Sequence, residues 1–164
     1  MRRRRGGPRK VKSGPTFRRR GGIFIQRTAN ARWIGGLKDG RGTVSTPSGV
    51  LANTAYSFTT RFENAKGTNP EELVAAAHAG CFSMALSGEL GKLGFTPDSI
   101  ETKATLSFDR TDAGWTITTI HLDVAAKVPR ADRAAFEKAA ETAKKGCPIS
   151  RLLNATITMS ARLV

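Results

Sequence analysis

The longest regular pattern in the chain runs from Leu73 to Leu86, where nearly every position is apolar or small: Leu-Val-Ala-Ala-Ala-His-Ala-Gly-Cys-Phe-Ser-Met-Ala-Leu. The four residues before it, Asn69-Pro70-Glu71-Glu72, carry the chemistry of a helix start. Asn69 suits the N-cap and Pro70 the first helical position, where a missing N–H costs nothing. Two carboxylates then sit where the helix dipole favours negative charge, and Glu72 completes an N-cap-to-N3 box. The pattern predicts a helix reaching about Leu90–Lys92 and stopping at Gly91 or Gly94. A helix that is apolar all round is buried. Its small residues permit close approach of strands or of another helix, which predicts a central helix shared with a second copy of the chain.

On either side the period shortens. Residues 23–33 and 42–62 are rich in β-branched and aromatic side chains and are broken by Gly35-Gly36, Lys38-Asp39-Gly40 and Pro47-Ser48-Gly49, so they read as strands of an antiparallel meander. In this reading Ser57–Phe62 is a strand that Arg61 ends, and Arg41 sits in a turn. Residues 98–125 read as a hairpin: Ala104, Leu106 and Phe108 alternate with polar residues, Thr111-Asp112-Ala113-Gly114 supplies the turn, and Trp115–Val124 returns. Asp132–Lys145 is a second helix with Ala135, Phe136, Ala139, Ala140 and Ala143 on its apolar face and Gly146 as its C-cap. Cys147-Pro148 opens a short helical segment through Leu153, and Thr156–Leu163 is a closing strand. Strands, helix, strands, helix and strand in that order make an α+β fold.

Composition adds bounds. The 164 residues suit one domain with a tail and suffice for a hydrophobic core. The net charge of +14 is unevenly placed: ten of the 27 Lys and Arg fall in residues 1–22, which hold no acid. The expected organisation is an Arg/Gly/Pro-rich flexible arm over 1–22 and a single domain over 23–164. The arm reads either as a solvated charge run or as a nucleic-acid contact, since clustered arginine displaces phosphate counterions. No apolar stretch of signal-peptide length follows the basic run, and the apolar runs look too short to span a bilayer. These features lead to the expectation of a cytoplasmic protein without a membrane partner.

Candidate chemistry is sparse. There are only 2 Cys, which fit no four-ligand zinc pattern, and no Gly-rich phosphate loop, nucleophile elbow or metal cluster is visible. Cys81 lies mid-helix among apolar residues, and Cys147 stands at a helix N-terminus, where exposed N–H groups lower a thiol pKa. Both also read as small buried hydrophobes, and nothing in their spacing demands that they meet. Glu71 and Glu72 are explained by capping alone. On a straight helix Glu71 stands about 15 Å along the axis from Cys81 and about 80° around it, so a site using both needs an antiparallel twofold pairing of two such helices. His78 shares the face of Cys81 one turn earlier and reads as a packing residue or as a base. His121 has no visible partner.

The motifs, taken together, resemble one family. Gly40-Arg41-Gly42-Thr43-Val44-Ser45-Thr46 with Ser48-Gly49-Val50-Leu51, Thr60-Arg61-Phe62-Glu63, Gly67–Leu73 running through Ala76–Ala85, and Lys145–Ser150 are similar to the OsmC (osmotically inducible protein C) family. They are closer to its OsmC subgroup than to the organic hydroperoxide resistance (Ohr) subgroup. The resemblance covers residues 25–164 and leaves out the basic arm. It implies an intertwined homodimer in which antiparallel strands wrap a long central helix and a second helix, with active sites at the subunit interface. It also implies a thiol peroxidase without a bound cofactor, in which Cys81 is the peroxidatic cysteine and Cys147 the resolving one. Glu71 would be the acidic partner of an activating arginine, with Arg61 matching the motif best and Arg41 as the fallback.

The chemistry implied by the resemblance suits these residue types. A thiolate attacks the peroxide O–O bond, a guanidinium lowers the thiol pKa without titrating itself, and a second thiol converts the sulfenic acid to a disulfide. An external dithiol, of lipoyl type by the resemblance, then restores the thiols. The substrate expected in apolar surroundings is an organic hydroperoxide, with hydrogen peroxide reduced more weakly, in oxidative or osmotic stress defence. The competing expectation is a nucleic-acid-binding protein that uses residues 1–22 on a catalytically silent scaffold.

Overall fold

The structure is a computed structural model and describes residues 25–63 and 65–164. The basic arm over 1–22, and with it the nucleic-acid reading, lies outside the described residues. The chain opens with a three-stranded antiparallel meander, β1 (Asn30–Ile34), β2 (Arg41–Ser45) and β3 (Thr54–Ser57), in the order β1-β2-β3. It is shorter than the alternation predicts. Gly42 of the central strand pairs with Trp33 on one side and Tyr56 on the other. Those rings approach to 5.4 Å between centroids across the position, where a Cβ would collide with Tyr56.

The strand expected to continue through Phe62 is instead a short helix, α1 (Phe58–Phe62). Ser57 is its N-cap: the Ser57 hydroxyl accepts from the Thr60 N–H at 3.2 Å, and the Thr60 hydroxyl accepts from the Ser57 N–H at 2.9 Å. This reciprocal box satisfies the orphan donors of a helix start and overrides the β-branched preference of Thr59-Thr60. Arg61 therefore rides on a helix.

The long helix α2 (Pro70–Lys92) forms where the pattern places it. The Asn69 side chain accepts from the Glu72 N–H at 2.8 Å, which is the cap half of the expected box. Gly94, with φ +81°, turns the chain away at the other end. Within the single chain only one face is buried, marked by His78, Phe82, Leu86 and Leu90 at four-residue spacing. The opposite face is not covered; Met84 is 79% exposed. This corrects the expectation of burial all round. One further correction concerns membranes: an 18-residue window of α2 has a mean hydropathy of 1.3, so by length and composition this helix is able to span a bilayer. Its buried face is instead committed to the second sheet and to two shorter helices.

That sheet has the order β4-β5-β6, with β4 (Ser99–Thr111), β5 (Gly114–Lys127) and β6 (Thr156–Leu163). The β4–β5 hairpin turns on Asp112-Ala113, with Gly114 at φ +101° and a bulge at Ser107/Phe108. β6 pairs with β5 in parallel, so the sheet is mixed where an all-antiparallel one was expected. The connection between those strands holds α3 (Arg133–Gly146) and α4 (Pro148–Leu152), and such a crossover is what parallel pairing requires. α3 is capped by Asp132 and runs through Gly146, so Cys147 rather than Gly146 takes the C-cap position. The core lies between the sheet and α2 with α3. Ile120, Leu122, Val124 and Ala126 from β5 meet Phe82, Leu86 and Leu90 from α2 and Phe136, Ala139, Ala140 and Ala143 from α3. Each large side chain so buried contributes about 1.5–3 kcal/mol by removal from water.

Candidate active site

Two clusters gather the residues singled out by sequence. The first is the thiol pair. Cys81 on α2 and Cys147, at the junction of α3 and α4, are both free thiols whose sulfurs lie 3.2 Å apart. The two cysteines are 66 positions apart, and the β4–β5 hairpin and α3 return the chain to the middle of α2. Cys147 is completely buried and Cys81 partly so.

The two sulfurs differ electrostatically. Burial pushes the Cys81 thiol pKa up; the Ile149 N–H works against that, and the neighbouring Cys147 adds to the rise. Burial also pushes Cys147 up, but the Ser150 N–H, the Cys81 thiol, the Ser150 hydroxyl and the Ile149 N–H together bring it below the ordinary value. Within one chain Cys147 is therefore the more acidic of the two thiols. A cation brought near Cys81 would favour its thiolate.

Arg61 of the same chain pairs with Glu71 and is not among the groups that shift the Cys81 thiol. Arg61 and Glu71 form the second cluster: Arg61 Nε donates to both Glu71 carboxylate oxygens at 3.1 Å, and Nη2 donates to Oε1 at 2.7 Å. Asn69 makes this possible. Its Oδ1 caps α2 while its Nδ2 donates to the Thr60 carbonyl at 3.2 Å, tying α1 to the head of α2. The guanidinium also lies over the rings of Phe62 and Phe108, 5.2 and 5.0 Å from their centroids. Trp115 stands 5.1 Å from each of those rings. A cleft of about 400 Å³ opens here, lined by Arg61, Glu71, Phe108, Trp115 and Leu152 among others. Ideal helix geometry puts the Glu71 backbone about 15 Å along the axis of α2 from that of Cys81.

Arg41 is elsewhere. It lies on β2 opposite Ser57 and lines a separate cleft with Arg32 and Tyr56, and among the described residues it forms no ion pair. The choice between the two arginines as the Glu71 partner thus falls to Arg61. His78 is fully buried, and its Nε2 lies 2.8 Å from the Ser150 hydroxyl. Burial lowers its pKa, so it is a neutral group. His121 pairs with Thr158 at 2.8 Å, across the register of β5 and β6. Ser150 and the second role of Asn69 escaped sequence reasoning. The signal for Ser150 was its place one turn after Cys147, and Asn69 was absorbed by its cap. Among the described residues no group of three or more His, Cys, Asp or Glu could hold a metal ion.

A mixed α+β fold that holds two free thiols in contact, with an arginine clamped by a carboxylate at the head of the same helix, marks a thiol-redox class of protein. The family model for OsmC-like protein matches residues 63–162. The chain is 53% identical over 141 residues to Peroxiredoxin OsmC of Escherichia coli (strain K12), covering 86% of this chain and 99% of that protein. It is 28% identical over 123 residues to the organic hydroperoxide resistance protein OhrB of Bacillus subtilis (strain 168), covering 74% and 88%. The crystal structure of OhrB superposes with a TM-score of 0.62 at 27% identity, covering 82% of this chain and 98% of that one. An OsmC-like protein from Mycoplasma pneumoniae shares the fold with a TM-score of 0.68 at 16% identity, covering 85% and 98%. The chain belongs to the OsmC-like protein family, within its OsmC subgroup.

Proposed function

We propose that this chain is a cysteine-based peroxidase that reduces organic hydroperoxides, and hydrogen peroxide more weakly, in oxidative or osmotic stress defence. The observation that carries the reading is the 3.2 Å separation of two free sulfurs on different elements. The names of the relatives, a peroxiredoxin and an organic hydroperoxide resistance protein, support it.

In this mechanism the Cys81 thiolate attacks the terminal oxygen of the hydroperoxide. The O–O bond breaks, Cys81 becomes a sulfenic acid and the alcohol leaves. Cys147 then displaces water from the sulfenic acid and closes a disulfide. Arg61 supplies the positive charge that favours the Cys81 thiolate and receives the peroxide oxygens, and Glu71 fixes its direction through the fork. The uncovered face of α2 supports a homodimer. Pairing α2 antiparallel with its copy across a twofold brings each Arg61–Glu71 pair to the thiols of the other chain. The aromatic cleft beside Arg61 would then receive the organic part of the substrate, which favours alkyl and aryl hydroperoxides over hydrogen peroxide. An external dithiol of lipoyl type restores the thiols. A thiol cycle of this kind belongs in a reducing compartment, so we place the protein in the cytoplasm.

The test is stoichiometric. Fully reduced protein is mixed with one equivalent of an organic hydroperoxide, free thiols are counted, and any disulfide is mapped by mass spectrometry. Loss of both thiols with a Cys81–Cys147 bond is expected. Two unreacted thiols in folded protein would refute the reading. Second-order rate constants for an organic hydroperoxide and for hydrogen peroxide test the substrate preference.

A further inference from the structure

The chemistry above uses four side chains and leaves one buried titratable group without a role. His78 is 0% exposed on α2, one turn before Cys81, at a position where an aliphatic side chain would serve the core equally well. Its Nε2 lies 2.8 Å from Ser150 Oγ, while Nδ1 finds no partner among the described residues. Ser150 is also buried, in the first turn of α4, three residues after Cys147. The Cys147 side chain makes no standard capping hydrogen bond to α4. The groups around it that favour its charged form are the N–H and hydroxyl of Ser150 and the N–H of Ile149, together with Cys81. His78, Ser150, Cys147 and Cys81 thus form a chain of neighbours that leaves α2, crosses to α4 and returns to α2.

We propose that His78 and Ser150 are positioning residues for the resolving thiol: His78 Nε2–H donates to Ser150 Oγ, and the Ser150 hydroxyl proton, left free by that bond, turns to Cys147 Sγ and holds it as the thiolate that closes the disulfide. The direction follows from counting protons. A serine hydroxyl has one, so it serves the sulfur only if it accepts from the histidine. This tautomer leaves Nδ1 as a bare acceptor, and an unpaired buried acceptor is tolerated better than an unpaired N–H. Burial keeps the ring neutral, which matches the single N–H the relay needs.

The inference rests on the roles of Cys81 and Cys147 proposed above. In the step concerned, Cys147 S⁻ attacks the Cys81 sulfenic sulfur, an S–S bond forms and the S–O bond breaks. The departing hydroxide takes up the proton that Cys147 shed on ionising, so water is the by-product and both cysteines finish at the disulfide level.

The two steps are separable in time. Full-length reduced protein is mixed with one equivalent of an organic hydroperoxide and quenched at intervals. Sulfenic acid is counted with a dione trap and disulfide by mass. Losing a hydrogen bond to a charged acceptor slows closure in Ser150→Ala and His78→Leu by about tenfold or more relative to sulfenic acid formation. Under excess peroxide, sulfinic acid accumulates at Cys81 in both variants. In a Cys81→Ser background the same changes move the pH dependence of the Cys147 thiolate's ultraviolet absorbance upward. Ser150→Thr and Ser150→Val, which match in shape and differ only in the hydroxyl, carry the test should the alanine variant fold poorly. Closure restored by threonine and not by valine supports the relay. Equal closure in the two, or wild-type closure in Ser150→Ala, overturns it. A wild-type protein that forms sulfenic acid but no Cys81–Cys147 disulfide refutes the underlying two-cysteine reading, a result distinct from failure of the relay.

Discussion

Glu71→Ala isolates the part played by the arginine clamp, because it removes the carboxylate and leaves both thiols in place. Three N–H···O contacts between 2.7 and 3.1 Å are lost. The pair is neither surface nor core: the Arg61 and Glu71 side chains are 34% and 13% exposed. Exposed ion pairs contribute about 0.2–1 kcal/mol, and breaking a buried pair costs about 3–5 kcal/mol. The half-buried fork falls between, at about 1–2 kcal/mol of orientation for Arg61. The side chain is not released altogether, because its contacts with Phe62 and Phe108 persist, at about 0.5–1 kcal/mol each. At about 1.4 kcal/mol per tenfold, the expected fall in kcat/KM for an organic hydroperoxide is roughly 5- to 30-fold. Arg61→Ala, which removes the charge itself, should cost about a hundredfold or more. Glu71→Gln keeps one acceptor oxygen and should fall between wild type and Glu71→Ala. The assay is steady-state peroxide consumption at saturating dithiol, with thermal unfolding confirming that each variant is folded. Wild-type kcat/KM in Glu71→Ala, in a background where Arg61→Ala is severely impaired, would show that the fork has no bearing on the arginine's work.

The remaining expectations concern the thiols, the buried histidine and one glycine. Cys81→Ser abolishes peroxide consumption, whereas Cys147→Ser consumes about one equivalent to reach the sulfenic acid and, with a second, gains the mass of a sulfinic acid at Cys81; sustained turnover in either variant contradicts the assignment. His78 has its pKa lowered from 6.5, so between its folded value and 6.5 the unfolded chain binds more protons than the folded one. Its contribution to stability is thus complete above pH 6.5 and declines as the pH falls through that window, a slope that thermal melts should show and that His78→Leu should flatten. Gly80 sits mid-helix with nothing within 4 Å of a would-be Cβ. Gly80→Ala should therefore stabilise the fold by about 0.8–1 kcal/mol, seen as a rise of roughly 2–4 °C in the melting midpoint. A lower midpoint would mean that the position is crowded in the assembled protein.

The elements that could be read from sequence were those whose signals are local. α2 announced itself by its cap, its proline and its apolar run, α3 by Asp132 and its alanine face, and the β4–β5 hairpin by alternation on either side of Asp112-Ala113. The segment misread was short: Ser57–Phe62 has a β-branched centre, and only the reciprocal bonds of Ser57 and Thr60 make it a helix. Parallel pairing of β6 with β5 was out of reach because strand direction depends on where α3 and α4 lie, which no period in Thr156–Leu163 encodes. The site divided along the same line. Local chemistry singled out Cys81 and Cys147 as thiols without joining them, and only the motif resemblance gave Glu71 and Arg61 a role. The meeting of two sulfurs 66 positions apart, and of His78 with Ser150, belongs to the tertiary path. The burial of α2 was overestimated because an apolar run in sequence does not show which of its faces the fold covers.

In the two-cysteine cycle proposed above, the unequal exposure of the two sulfurs would also govern how the disulfide is reduced. With Cys147 fully buried and Cys81 partly accessible, an incoming dithiol meets the disulfide at the Cys81 sulfur. Cys147 is then the leaving group, and thiol–disulfide exchange runs faster as the departing thiol becomes more acidic. The donors around Cys147 stabilise the departing sulfur in place, with its old partner still beside it. The fold thereby gives the reductive half of the cycle a fixed polarity: the outer sulfur exchanges partners and the inner one only opens and closes.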